Sequence, residues 1–204
     1  MPEPHGFTVL AHEEVADVRP QRYSRNRSSF YADPVAWLMD AAITRAVDAA
    51  GDRRPPADHT GVVVVSAHAT LGTMRSVARA ASRGRVSPLE FAGANPGSLV
   101  SIACISRGLR GPTLLLTMEP DDGLAVASTV AAGWLRAGRA AAVVVGTHAA
   151  RPAPDDPPGD ATDDDGPRYR HVARCALLTA GTGPADGPDL RELLLDAPAI
   201  GVRR

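Results

Sequence analysis

Glu119-Pro120-Asp121-Asp122 stands where an apolar run, Thr113 to Met118, gives way to an amphipathic stretch, Gly123 to Ala137. A strand-to-helix turn of this kind can hold a nucleophile. The first N–H groups of a helix lack internal partners and its dipole favours negative charge, which lowers the pKa of a thiol placed there. Pro120 supplies neither a nucleophile nor an N–H. Asp121 and Asp122 have oxygens, but a carboxylate at a helix start is held ionised and is expected to cap backbone N–H groups. Glu119 closes an apolar strand and, if enclosed, needs a partner. A structural hydrogen bond or an interface ion pair is expected of it before acid–base work.

Other chemistry-bearing residues offer less. Cys104 is flanked by Ile102 and Ile105 with no cation near it in sequence, and Cys175 sits in an apolar run. Reactive thiols need electropositive, accessible sites, so both read as buried free thiols of a reducing cytoplasm. The six histidines show no i, i+4 pair and no metal spacing. His68 and His148 follow strand ends, where α/β sites gather, and are the two that could touch a ligand. The acidic stretch Asp155 to Gly166 fails the calcium-loop pattern, because Ala161 and Val172 would fall on the first and last ligand positions. No G-x-G-x-x-G and no Walker lysine occur, so nucleotide binding has no support. No metal or cofactor is implied.

The elements that must position these residues follow from patterning. At 204 residues, 44% of them hydrophobic, one domain with a sizeable core is expected; only 4% are aromatic, so the core must be Ala, Val and Leu. All 22 basic residues are arginine and the net charge is -1, which gives no nucleic-acid footprint. No apolar run of about 18 residues is present, so no membrane span is expected, and the N-terminus lacks a secretory pattern. Phe7 to Leu10 reads as a short strand and Arg19 to Phe30 as irregular. Asp33-Pro34 starts a helix that Gly51 ends. Gly61 to Ser66, Thr113 to Met118 and Ala140 to Thr147 read as strands covered on both faces, and Val172 to Ala180 as a last strand. Helices are expected at about 71–82, 96–107, 123–137 and 189–195, with a loop at 83–96 and a mobile acidic loop at 151–168. This alternation predicts an α/β fold with a mostly parallel sheet layered with helices.

The residues also carry a family resemblance. Gly108-Leu109-Arg110-Gly111-Pro112 is similar to the segment that precedes the nucleophile strand of β-ketoacyl synthases. Ser87-Pro88 through Asn95 resembles the loop leading to their dimer-interface helix. Arg136-Ala137-Gly138-Arg139-Ala140 and Val143-Val144-Val145-Gly146-Thr147 resemble the end of the nucleophile helix and the strand after it. The likeness spans about residues 29 to 182 and is strongest to the chain length factor, the inactive partner of type II polyketide ketosynthases. That subunit has Glu-Gln-Ala-Gly-Gly-Leu in the turn; here Glu119, Gly123 and Leu124 match and Pro120 takes the place of glutamine or cysteine.

The resemblance implies the N-terminal half of a thiolase-like fold, in a single domain over 1–204. The family's second half supplies two active-site histidines, and this sequence resembles only the first half, as half-length chain length factors of aryl polyene systems do. It implies a non-catalytic subunit that pairs with a full-length ketosynthase as a heterodimer and shapes the acyl tunnel. The acyl carrier protein would dock mainly on the active partner. Ser98, Ser101, Ile102, Ile105, Met118 and Glu119 would face the partner or the tunnel. Two alternatives stay open: a stand-alone acyl-carrier-dependent decarboxylase or acyltransferase using Glu119 or Asp121, and a homodimeric scaffold that binds acyl carrier protein.

Overall fold

A computed structural model describes residues 6–153, 169–181 and 189–195. Most of the acidic stretch 151–168 lies outside the described residues. In chain order the elements are β1 (Phe7–Asp17), α1 (Pro34–Ala49), β2 (Thr60–Ser66), α2 (Leu71–Ala81), α3 (Pro88–Gly93), α4 (Ser98–Arg107), β3 (Thr113–Leu116), α5 (Pro120–Arg136), β4 (Ala142–Pro152), β5 (Tyr169–Ala180) and α6 (Leu190–Leu194). The sheet runs β1-β5-β4-β2-β3. The parallel part is β4-β2-β3, and β5 and β1 extend it antiparallel.

Alternation along the strands builds a three-layer sandwich. Val62 and Val64 of β2 and Val144 of β4 face a core shared with Leu38, Met39 and Ile43 of α1 and Leu99 and Ile102 of α4. Val63, Val65, Val143 and Val145 face the opposite layer, where Leu124, Ala127 and Ala131 of α5 and Leu190 and Leu194 of α6 cover them. A strand buried on both faces has to be apolar at every position, which is why β2 and the start of β4 read as unbroken valine runs. Small alanines let the helices approach the sheet closely.

Local signals set the helix ends. Asp33 caps α1, its Oδ1 accepting from Val35 N at 2.8 Å, and Pro34 takes the first helical position. Gly108, at φ 67°, stops α4 in the left-handed conformation that glycine adopts without a Cβ penalty.

Several elements differ from the sequence expectation. β4 runs on past Thr147 to Pro152, so His148 lies inside the strand. The first residues of the expected mobile loop 151–168 are therefore strand, and β5 starts at Tyr169 rather than Val172. The two strands pair along this whole length. β1 continues to Asp17 because it pairs along its whole length with β5, a tertiary pairing that its weak local alternation does not announce. A short helix, α3, interrupts the expected loop 83–96, started by Ser87 and Pro88. α5 begins at Pro120, three residues before the predicted Gly123. β3 is an edge strand, exposed or half-buried, not the doubly covered strand its composition predicts.

The residue before Pro112 is held tightly. A Cβ on Gly111 would lie 2.5 Å from the Thr60 carbonyl carbon and 2.6 Å from Gly61 N. Backbone cannot swing aside as a flexible side chain can, so Gly111→Ala is expected to lower stability by about 2 kcal/mol. Urea denaturation with an unchanged m-value would measure it; a variant as stable as the parent would show that the β2–β3 register gives way freely.

Candidate functional site

Pro120 occupies the first position of α5, at the C-terminal end of the sheet beyond β3. Its missing N–H costs nothing there, because that donor has no helical partner anyway. The Glu119 carbonyl accepts from Asp122 N and Gly123 N, and the Glu119 side chain makes no capping bond. The expectation that Asp121 and Asp122 cap the helix is not met: both side chains are exposed and neither takes a backbone N–H. They favour α5 through its dipole alone. Asp121 lies 3.9 Å from the Arg191 guanidinium, with both groups well exposed, a pairing worth little in water. Glu119 is exposed as well. It needs no buried partner, because β3 sits at the sheet edge. The turn thus has no thiol or hydroxyl nucleophile at the helix start.

Four of the six expected interface positions lie together. Ser98, Ser101, Ile102 and Ile105 line one open groove of about 440 Å³, with Phe30 and Tyr31 on one side and Leu89 on the other. Helical spacing puts Ser98, Ser101 and Ile105 along one flank of α4. Ile105 is 73% exposed, while Ile102 is only 4% exposed and belongs to the core as much as to the groove. The Ser98 hydroxyl is buried without a hydrogen-bond partner. Met118, 38% exposed, and Glu119 stand apart from this groove at the β3–α5 junction. There Met118 packs against Gly123, where a Cβ would meet Val65 Cγ1 at 2.4 Å and Met118 Cγ at 2.8 Å.

A second cluster was only partly visible in the sequence. Ser66 ends β2 and His148 lies opposite it in the parallel β2–β4 register. Ser66 Oγ is 2.8 Å from His148 Nδ1, and His148 Nε2 is 3.1 Å from His171 Nδ1 on β5. Ser66 Oγ also accepts from Ala69 N at 2.9 Å. This bond holds Ala69 at φ 42°, a left-handed conformation that costs an L-residue about 1–2 kcal/mol. His68 completes the group, its ring centroid 6.2 Å from that of His148, and its Nδ1 is buried without a partner. Burial pushes His148 down to about 3, helped by His171 and His68. Burial likewise lowers His171, with His68 adding to the effect and Asp33 opposing it. Both imidazoles are therefore neutral at pH 7, and the chain Ser66–His148–His171 can pass a hydrogen-bond polarity but cannot hold a charge cheaply. Ser66 Oγ is fully enclosed, which bars it from attacking a substrate. Among the described residues no group of three or more His, Cys, Asp or Glu could hold a metal ion.

The thiols are unreactive in this setting. Burial raises Cys104 to about 11 and pushes Cys175 up further, and Cys175 Sγ rests 3.6 Å from Met39 Sδ in the core. No described helix is long and apolar enough to cross a membrane.

No family model matches the chain, and no curated protein matches it. Solved structures do share its fold. A ketosynthase in complex with its chain length factor from Xenorhabdus doucetiae aligns with TM-score 0.57 and 16% identity, over 87% of this chain and 80% of that one. The matched chain of that complex is thus close to this one in length. The ishigamide ketosynthase/chain length factor aligns with TM-score 0.54 and 18% identity over 80% of this chain. AntDE:AntF, a type II polyketide synthase acyl-carrier protein in complex with its ketosynthase, aligns with TM-score 0.58 and 12% identity over 85% of this chain. The present chain spans about half of the ishigamide chain, 47%, and 62% of the AntDE:AntF chain. At these identities the likeness fixes architecture: the chain has the thiolase-like half fold found in ketosynthases and chain length factors.

Proposed function

We propose that the chain is a non-catalytic, chain length factor-like subunit that pairs with an active ketosynthase and shapes the acyl tunnel in polyketide or polyene biosynthesis. The observation that carries this reading is Pro120 at the first position of α5, where a catalytic relative would need a thiol. The exposed edge of β3 and the apolar groove along α4 support it. The first offers unpaired backbone groups that a partner strand can satisfy, and the second a concave apolar wall of the kind an acyl chain lies against.

Co-expression with a full-length ketosynthase tests it. The expected result is a heterodimer that elongates acyl chains, with no turnover of malonyl-carrier protein by either subunit alone. Ser101→Trp then places bulk in the groove from an exposed position without disturbing the core, as Ile102→Trp would. Its products should be shorter by one or more extension units. Turnover by the isolated chain would favour an enzyme using Glu119 or Asp121, and a stable homodimer indifferent to the ketosynthase would favour a scaffold; either overturns the proposal.

A further inference from the structure

The segment Arg54-Pro55-Pro56-Ala57, between α1 and β2, forms one wall of an open cavity of about 450 Å³. The cavity lies at the end of the sheet where β2 begins, opposite the end where β3 leads into Pro120. It therefore stands or falls independently of the chain length factor reading. The wall is held in place along its length. Arg54 N donates to the Gly51 carbonyl, His59 N to the Pro56 carbonyl and Arg110 N to the Ala57 carbonyl, each at 3.1 Å. Two prolines fix φ between these ties. The wall is formed before any ligand arrives, which lowers the ordering penalty of binding.

Two guanidinium groups from the lining meet a single carboxylate beside it. Arg107, at the end of α4, bonds Asp48 Oδ1 through Nη2, and Arg54 Nη1 lies 3.6 Å from the same oxygen. That second separation is an ion pair without a hydrogen bond, and among the described residues no acceptor bonds the Arg54 guanidinium. One positive charge is left over. The hydroxyls of the lining are already engaged: Thr60 donates to the Pro56 carbonyl at 2.9 Å and Ser106 to Asp40 at 2.5 Å. The prolines have no N–H to offer. Recognition of an anion thus falls to the arginines, while Pro55, Pro56, Val47 and Leu109 supply apolar surface. We propose that this cavity binds a small organic carboxylate, with the Arg54 fork on its charged group and the proline wall against its apolar body. A single leftover charge matches a carboxylate, whereas a phosphate ester carrying nearly two charges would stay partly uncompensated.

The test titrates the full chain with benzoate and follows the Arg54 Nε–H resonance by NMR. The expected result is saturable binding with a shift at Arg54 that weakens as salt rises. Benzamide, the same shape without the charge, should bind at least about tenfold more weakly. Arg54→Gln should weaken benzoate by a similar factor. Asp48→Asn removes the competing carboxylate and should tighten benzoate by about threefold or more. Opposite responses from two exposed neighbours separate a charge site from a general loss of structure. No saturation by benzoate, equal binding of benzamide, or parent-like binding by Arg54→Gln overturns the proposal. So does an Asp48→Asn variant that binds benzoate no better than the parent. Tighter binding of phenyl phosphate than of benzoate overturns the choice of a carboxylate.

Discussion

Acidification from pH 7 to pH 3 is expected to remove about 4 kcal/mol of stability through His148 alone. Its imidazole titrates near 6.5 in the unfolded chain and about 3 in the folded one. Between those values the unfolded state binds a proton that the native state refuses. Stability therefore rises with pH across that window and is complete above about 6.5. One proton gives a slope of about 1.4 kcal/mol per pH unit, which is large against a total of about 5–15 kcal/mol for a domain. His171 acts in the same direction, since burial lowers it too.

Carboxylates also drive acid unfolding, so a variant must separate the causes. His148→Gln stays neutral at every pH and can still bond Ser66 Oγ. It should be less stable at pH 7 by about 1–2 kcal/mol, because one imidazole contact is lost, yet lose stability more slowly below pH 6. Urea midpoints measured every half unit from pH 7 to pH 4 check both statements. Parallel curves for the parent and His148→Gln would mean that His148 accepts its proton without unfolding the chain.

What the sequence disclosed and what it hid divide along a physical line. β2, the capped start of α1 and the Gly138 stop of α5 were legible because the signals are local: a β-branched run, an Asp-Pro pair, a glycine after an apolar stripe. β3 reads as a central strand because Thr113 to Leu116 is as apolar as one, and only sheet order reveals an edge. The exposure of Glu119 follows from that same edge. His148 stood out as a strand-end residue, but its partners did not. Ser66 meets it through the parallel β2–β4 register and His171 through the diagonal of the antiparallel β4–β5 pair. Neither register can be read without knowing which strands pair. The α4 groove was half legible, since helical spacing groups Ser98, Ser101 and Ile105 but does not say that Phe30, Tyr31 and Leu89 close it.

Asp33→Ala is expected to cost about 4 kcal/mol, because this one carboxylate serves two helices. It is 1% exposed. Oδ1 accepts from Val35 N at the start of α1, and Oδ2 accepts from Thr73 N in the first turn of α2 at 3.0 Å. α2 has no cap of its own: the Thr70 hydroxyl donates to the Ala94 carbonyl at 2.6 Å, so the helix borrows an acceptor from a residue far away in sequence. Alanine would leave both N–H groups buried and unpaired. Asp33→Asn would keep one acceptor and turn an amide donor toward the other N–H, and should cost about half as much. Because Asp33 also opposes the lowering of His171, its loss should drop the His171 titration further, visible in a histidine NMR titration of Asp33→Asn. The same variant should loosen the start of α2, because Thr73 N loses part of its acceptor. If thermal unfolding of Asp33→Ala matched the parent, α2 would have to be held by something other than this shared cap.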